Sequence, residues 1–205
     1  MTINTVRWNQ LRYRFYAPFY DKAVTPLTRS RQRSIELLQV QPGANVLLVE
    51  CGTGLDLDFA PASAKVTAID IKPAMVERTV QRAQVLGRSI DAFVMNAHTL
   101  AFDDNSFDYV VLHLIVSVVP DPVACMREAA RVLKVGGTVS IFDKFLPDNT
   151  TPSLARRVLG SILNVLFFDL NRQLGPLFET VPLEVQRKEN VLLGGTYSIR
   201  QAIKT

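Results

Sequence analysis

The sequence predicts an α/β protein built on a doubly wound, mostly parallel sheet that ends in an antiparallel hairpin. Three observations carry this. Apolar runs such as residues 46–49 have the unbroken character of strands buried on both faces. They alternate with segments of helical pattern, the order expected of right-handed β–α–β crossovers. The first run ends in a glycine-rich turn and the second ends on Asp70, as ligand-binding sheets of this type do.

The elements follow in order. The segment from Met1 to Arg33 reads as one or two helices broken around Pro18 and Pro26. A helix is expected over residues 31–40, with Ile35, Leu37 and Leu38 apolar, and Gln41-Pro42-Gly43 ends it. The first strand spans residues 45–49. Ten residues separate Gly54 from Lys65, so the first crossover helix must be short. The second strand covers residues 65–69. A helix over 73–86 has a proline in its first turn and Gly87 as its stop. Strands are expected at 91–95 and 107–114. Asp121 is positioned to cap a helix over 122–133 that opens with Pro122. The pair Gly136-Gly137 should end that helix, and residues 138–142 supply a fifth strand. Residues 151–169 suggest a helix with Leu154, Val158, Ile162 and Val165 on one face. That face could cover the sheet, or it could meet lipid or a second subunit. Residues 182–186 and 195–204 can pair as a hairpin.

The turn Glu50-Cys51-Gly52-Thr53-Gly54 is the most informative stretch. Gly52 and Gly54 permit a tight turn and let a ligand approach bare N–H groups. Asp70 follows Gly52 by 18 positions, close to the roughly 20-residue interval at which an acid meets ribose hydroxyls. The plain alternative for the glycines is an ordinary strand–turn–helix junction; the acid-ended second strand favours a nucleoside site. The third glycine of a dinucleotide fingerprint is absent, which disfavours a dehydrogenase.

Composition limits the other classes. The chain has 205 residues, 48% of them hydrophobic, enough for one domain with a real core. Cys51 and Cys125 offer neither metal spacing nor a disulfide framework, and free thiols suit a cytoplasmic location. No secretory leader or membrane span is expected. Charge is uneven. Between Met1 and Arg33 seven basic side chains face Asp21 alone, a local +6, so the rest carries −2 of the net +4. Trp8, Tyr13, Phe15, Tyr16, Phe19 and Tyr20 are interleaved with these cations. That mixture suits an anionic interface; a peripheral membrane surface is the expected partner, and nucleic acid is not. The alternative is a solvated helix whose aromatics pack on the domain.

Downstream motifs extend the pattern: Asn96-Ala97-His98 through Asp108, Val119-Pro120-Asp121-Pro122, and Arg131-Val132-Leu133-Lys134-Val135-Gly136-Gly137. With the glycine turn and the segment Arg12 to Asp21, this order resembles the class I S-adenosylmethionine-dependent methyltransferases. Within them it is most similar to the branch of ubiquinone/menaquinone C-methyltransferases and bacterial phosphatidylethanolamine N-methyltransferases. The likeness is good over residues 12–145. It implies a Rossmann-like seven-stranded sheet in one domain: a helical cap over 1–40, a cofactor-binding core over 41–145, and a helix and hairpin over 146–205. It implies a cofactor site for S-adenosylmethionine, and for its product S-adenosylhomocysteine, made by Glu50, Cys51, Gly52, Thr53, Gly54, Asp70, Ile71, Met75, Asn96, Ala97, His98 and Leu112. Asn96 falls near the adenine amine and His98 beside the adenine edge, chiefly through its backbone. Tyr16 and Tyr20 fall in the helix covering the cofactor and could present aromatic faces to a sulfonium or ammonium; the alternative is packing onto the domain.

Three positions depart from the family pattern. Leu48 and Asn96 replace acids, and Glu50 replaces the first glycine of the turn. Glu50 could take over from the missing acid and meet the cofactor's amino group, or it could clutter the pocket. His113, after the fourth strand, is the one candidate base by position; a packed or backbone-bonded histidine is the alternative. Methyl transfer needs positioning and exclusion of water rather than a metal. The acceptor expected is a lipid or hydrophobic small molecule, with phosphatidylethanolamine favoured. A quinone precursor, a soluble metabolite, or a non-catalytic binding module remain as alternatives.

Overall fold

The computed structural model describes residues 25–146, 173–192 and 195–205. The expected tyrosines Tyr16 and Tyr20, the first part of the helical cap and the helix expected at 151–169 lie outside them. Among the described residues the elements are α1 (Thr28–Glu36), β1 (Asn45–Val49), β2 (Lys65–Asp70), α2 (Pro73–Val85), β3 (Asp91–Val94), β4 (Phe107–His113), α3 (Pro122–Val132), β5 (Leu133–Lys144), α4 (Gly175–Phe178), β6 (Leu183–Leu192) and β7 (Tyr197–Lys204). The strands form one seven-stranded sheet in the order β3-β2-β1-β4-β5-β7-β6. β1 to β5 run parallel, and β7 enters antiparallel between β5 and β6.

Alternation along β1 explains the two layers. Leu47 and Val49 face the cluster that holds Cys125, Met126 and Ala129 of α3. Val46 and Leu48 face the cluster that holds Ile35 of α1 and Ala83 of α2. Each side chain from Val46 to Val49 is at most 3% exposed, so a strand apolar at every position is what two covered faces demand. The strand order reverses between β1 and β4, which lie side by side and parallel although β2 and β3 come between them in sequence. That reversal opens a crevice at the carboxyl ends of the two strands.

Several boundaries move. The helix expected at 31–40 is α1, placed three residues earlier; it closes in a turn where Gln39 takes φ +49°. The first crossover is a single 3-10 turn, Leu55–Asp58, as short as the spacing requires. Asp121 caps α3 by accepting from the Ala124 N–H at 2.9 Å. The glycine pair does not separate α3 from β5. Leu133 already pairs with Phe107, residues 134–137 loop out, and pairing resumes at Tyr109 with Thr138. A Cβ on Gly137 would sit 2.8 Å from the Lys134 carbonyl oxygen and 2.9 Å from that of Asp108, so the loop-out needs glycine there.

Candidate active site

The crevice is a cleft enclosing about 690 Å³ out to its open mouth, open solvent included. Glu50, Gly52, Asp70, Ile71, Lys72, Met75, Asn96 and His98 line one side; His113, Leu114, Ile115, Val118, Val119 and Pro120 line the other. Three loops converge because parallel strands all deliver their carboxyl ends to one edge.

The glycine turn is fixed from two directions. The Gly52 N–H donates to Asp70 Oδ2 at 3.0 Å, and the Lys72 N–H donates to Asp70 Oδ1 at 2.9 Å. Asp70 is thereby tied to the turn it was expected to face. From behind, Thr79 of α2 donates to the Gly52 carbonyl at 3.0 Å and lies 3.3 Å from Cys51 Sγ. Gly54 has φ +78°, and a Cβ there would meet three Thr79 atoms at 3.1 Å. Close packing of turn on helix, as well as backbone freedom, requires this glycine.

Glu50 also takes a left-handed backbone, φ +51°, at a cost of about 1 kcal/mol for a residue with a Cβ. Its carboxyl lies near the backbone of Ile71 and Ala97. Burial, then the charge of Asp70, push it up to about 8 against the opposing effect of Lys72. Burial raises Asp70 as well, with Lys72 opposing. Burial drives the Cys51 thiol to about 12, so it is no nucleophile.

The expected cofactor residues divide by depth. Glu50, Gly52, Asp70, Ile71, Met75, Asn96 and His98 reach the cleft. Cys51, Thr53, Ala97 and Leu112 are buried and do not line it. Leu112 points into the α3-side core with Leu47 and Val110, and the wall beside it is made instead by His113, Leu114 and Ile115. Asn96 accepts from the His98 N–H at 3.0 Å, which braces the turn while leaving its oxygen a second lone pair. His98 Nε2 is buried in the cleft wall with no partner among the described residues. A ribose-facing carboxylate, an amide and an orphaned imidazole nitrogen could together hold an adenosine group, so the residues fit the implied cofactor apart from Glu50.

His113 is engaged on both ring nitrogens. Nδ1 lies 2.8 Å from Asp56 Oδ1 and Nε2 lies 2.8 Å from Ser34 Oγ. Arg31 holds Asp56 bidentately at 2.9 and 2.8 Å, and Ser34 Oγ continues to Ser140 Oγ at 2.8 Å. Burial alone would raise Asp56; the Arg31 guanidinium and His113 outweigh it and hold the carboxyl well below the usual range. The connectivity is that of a hydrolytic triad, yet Ser34 is 0% exposed and no substrate can reach it. His113, the candidate base by position, is placed as a buried crosslink between α1, the 3-10 turn and β4.

Sequence reasoning missed the apolar wall and its anchor. Asp143, at the end of β5, accepts from the Ser117 N–H at 2.8 Å and the Ser117 hydroxyl at 2.7 Å. The Leu114 N–H donates to the Phe142 carbonyl at 2.7 Å, and Leu114 takes φ +60°. These bonds pin the loop carrying Ile115, Val118, Val119 and Pro120. A signal existed: Ile141-Phe142-Asp143 is an acid-ended strand like Ala68-Ile69-Asp70.

Comparison with known proteins agrees with this geometry. Residues 47–141 match the methyltransferase domain family. A phosphatidylethanolamine N-methyltransferase of Cereibacter sphaeroides is 29% identical over 87% of this chain and 89% of its own. A demethylmenaquinone methyltransferase of Listeria welshimeri is 32% identical over 64% of this chain; the match spans 60% of that relative's length. A solved geranyl diphosphate C-methyltransferase of Streptomyces coelicolor, in complex with S-adenosylhomocysteine, superposes with a TM-score of 0.71 at 15% identity, over 86% of this chain and 80% of that one. The class is thus a methyltransferase domain with the matching seven-stranded fold. Residues 47–141 form a methyltransferase domain, and the chain is similar to S-adenosylmethionine-dependent methyltransferases.

Proposed function

We propose that this methyltransferase acts on a lipid or other hydrophobic acceptor, and that the acceptor is the amine of phosphatidylethanolamine. The observation that carries the reading is the apolar wall: Leu114, Ile115, Val118, Val119 and Pro120 face Asp70 and Asn96 across one cleft. A cofactor held by the polar side would direct its methyl group toward apolar surface. The likeness to the Cereibacter enzyme and the basic, aromatic segment from Met1 to Arg33 support the same acceptor class.

When bound, the cofactor supplies an activated methyl group on a sulfonium. The protein's part is to orient and to exclude water. Asp70, Ile71, Met75 and Asn96 are the residues that would hold the adenosine group: Asp70 would accept from ribose hydroxyls, Asn96 and the backbone after it would meet the adenine edge, and Met75 and Ile71 would pack against the nucleoside. The wall from Leu114 to Pro120 positions the acceptor and desolvates an entering ammonium, which lowers its pKa and favours the neutral, nucleophilic amine. Orientation of this kind can supply roughly 7–11 kcal/mol of barrier reduction in the best intramolecular models. His113 acts as a positioning residue within its buried network. Tyr16 and Tyr20 would cover the sulfonium. The protein works in the cytoplasm at the membrane surface.

A quinone precursor is the second reading, favoured by the Listeria relative. Incubation with methyl-labelled cofactor separates the two. Label in monomethylated phosphatidylethanolamine from vesicles supports the lipid reading. Label only in a demethylmenaquinone analogue overturns it.

A further inference from the structure

Glu50 stands where the resemblance expects a bare glycine, and its side chain has a definite destination. It leaves the end of β1 in a left-handed conformation and enters the cleft. There its carboxyl lies near the backbone of Ile71 and of Ala97, in the same lining as Asp70, Asn96 and His98. Ile71 directly follows the acid expected to meet ribose, and Ala97 lies between Asn96 and His98, where the adenine edge is expected. The space that an adenosine group would use is thus shared with the protein's own carboxyl.

The geometry points to Glu50 as an internal occupant of the adenosine subsite, a residue that sets cofactor affinity because the cofactor must displace it. The inference rests on the cofactor site assigned above. Two features make the occupant displaceable. A carboxyl can accept from neighbouring N–H groups, as the acceptor nitrogens of a purine edge can, so exchange leaves no donor unpaired. The cleft is open at its mouth, so the side chain can rotate into water. Leu48, two residues earlier, is 1% exposed in an apolar cluster, so the missing acid of the family pattern has not simply moved along the strand.

The test is calorimetric titration of the full chain with S-adenosylhomocysteine. Glu50→Ala keeps the Cβ and its left-handed backbone cost but removes the carboxyl, and it should bind at least about tenfold more tightly than the wild type. Glu50→Gln retains one acceptor oxygen and should fall between them; it also preserves the test if the alanine variant folds poorly. Unchanged affinity in both variants would overturn the inference while leaving the cofactor site intact. Weaker binding by both would make Glu50 a ligand contact and overturn it equally. No binding by any of the three folded chains up to millimolar concentration would overturn the cofactor site itself, and the inference with it.

Discussion

Two carboxyls share one cleft, and burial pushes them to different extents. Asp70 is anchored by the N–H groups of Gly52 and Lys72, so it carries the negative charge while Glu50 is pushed up to about 8. Lys72 and His98 line the cleft beside the pair, and His113 borders it with its ring bonded to Asp56 and Ser34. The consequence for stability has a definite sign. Unfolded, Glu50 ionises near pH 4.3; folded, it keeps its proton to about 8. Between these values the folded state binds more protons, so stability falls as pH rises through the window. Glu50→Gln removes this dependence. The variant should gain on the wild type progressively from pH 5 to 8 and level off above. Thermal unfolding across that range measures it; a difference constant with pH would show that Glu50 is ionised in the fold.

Among the elements, the network from Arg31 to Ser140 does the joining. It fastens α1 to the 3-10 turn after the glycine motif, and both to β4 and β5. Arg31 and Asp56 are each 4% exposed, so removing either leaves a buried charge uncompensated. Arg31→Met should cost about 3 kcal/mol. Adding Asp56→Asn should recover part of that loss, because the stranded carboxylate disappears with its partner. Strictly additive losses in urea titrations of the single and double variants would sink the coupling. Asp56 also stabilises the fold only above the ordinary carboxylate range, and that contribution is lost as pH falls toward its depressed value. None of this is written in a local pattern, which explains what the sequence revealed. β1 was legible to the residue because four consecutive apolar positions between a turn and a glycine motif admit no other element. The hairpin was legible only in outline: β6 extends to Leu192 through Gln186-Arg187-Lys188-Glu189-Asn190, a charged run that suits an exposed edge strand but carries no apolar alternation. The glycine turn and Asp70 were readable because their partners are near in sequence. His113's partners are 57 and 79 positions away, and only the folded sheet brings them together.

For the whole molecule, charge and shape assign different tasks to different regions. The crevice at the carboxyl edge of the sheet has a polar side for a nucleoside and an apolar side for an acceptor. No helix among the described residues is long and apolar enough to cross a membrane. On the proposed lipid reading the acceptor is met at a membrane surface, where Arg7, Arg12, Arg14, Lys22 and Arg29 supply the attraction, since Arg31 is buried against Asp56 and Arg33 pairs with Glu189. Each basic side chain near an anionic surface contributes about 1 kcal/mol, and the attraction fades within a Debye length. The full chain should co-sediment with vesicles containing phosphatidylglycerol at low ionic strength and be released at about 1 M salt, where that length falls to ~3 Å. Replacing Arg7, Arg12 and Arg14 together with glutamine should weaken vesicle binding by roughly a hundredfold. Because the acceptor is reached through the vesicle and the cofactor through water, the triple variant should lose transfer to vesicle phosphatidylethanolamine yet keep transfer to the same lipid dispersed in detergent. Equal loss in vesicles and detergent would place these arginines in the acceptor site rather than at the membrane. Vesicle binding that survives both salt and the triple replacement would mean that apolar insertion, not charge, holds the protein at the bilayer.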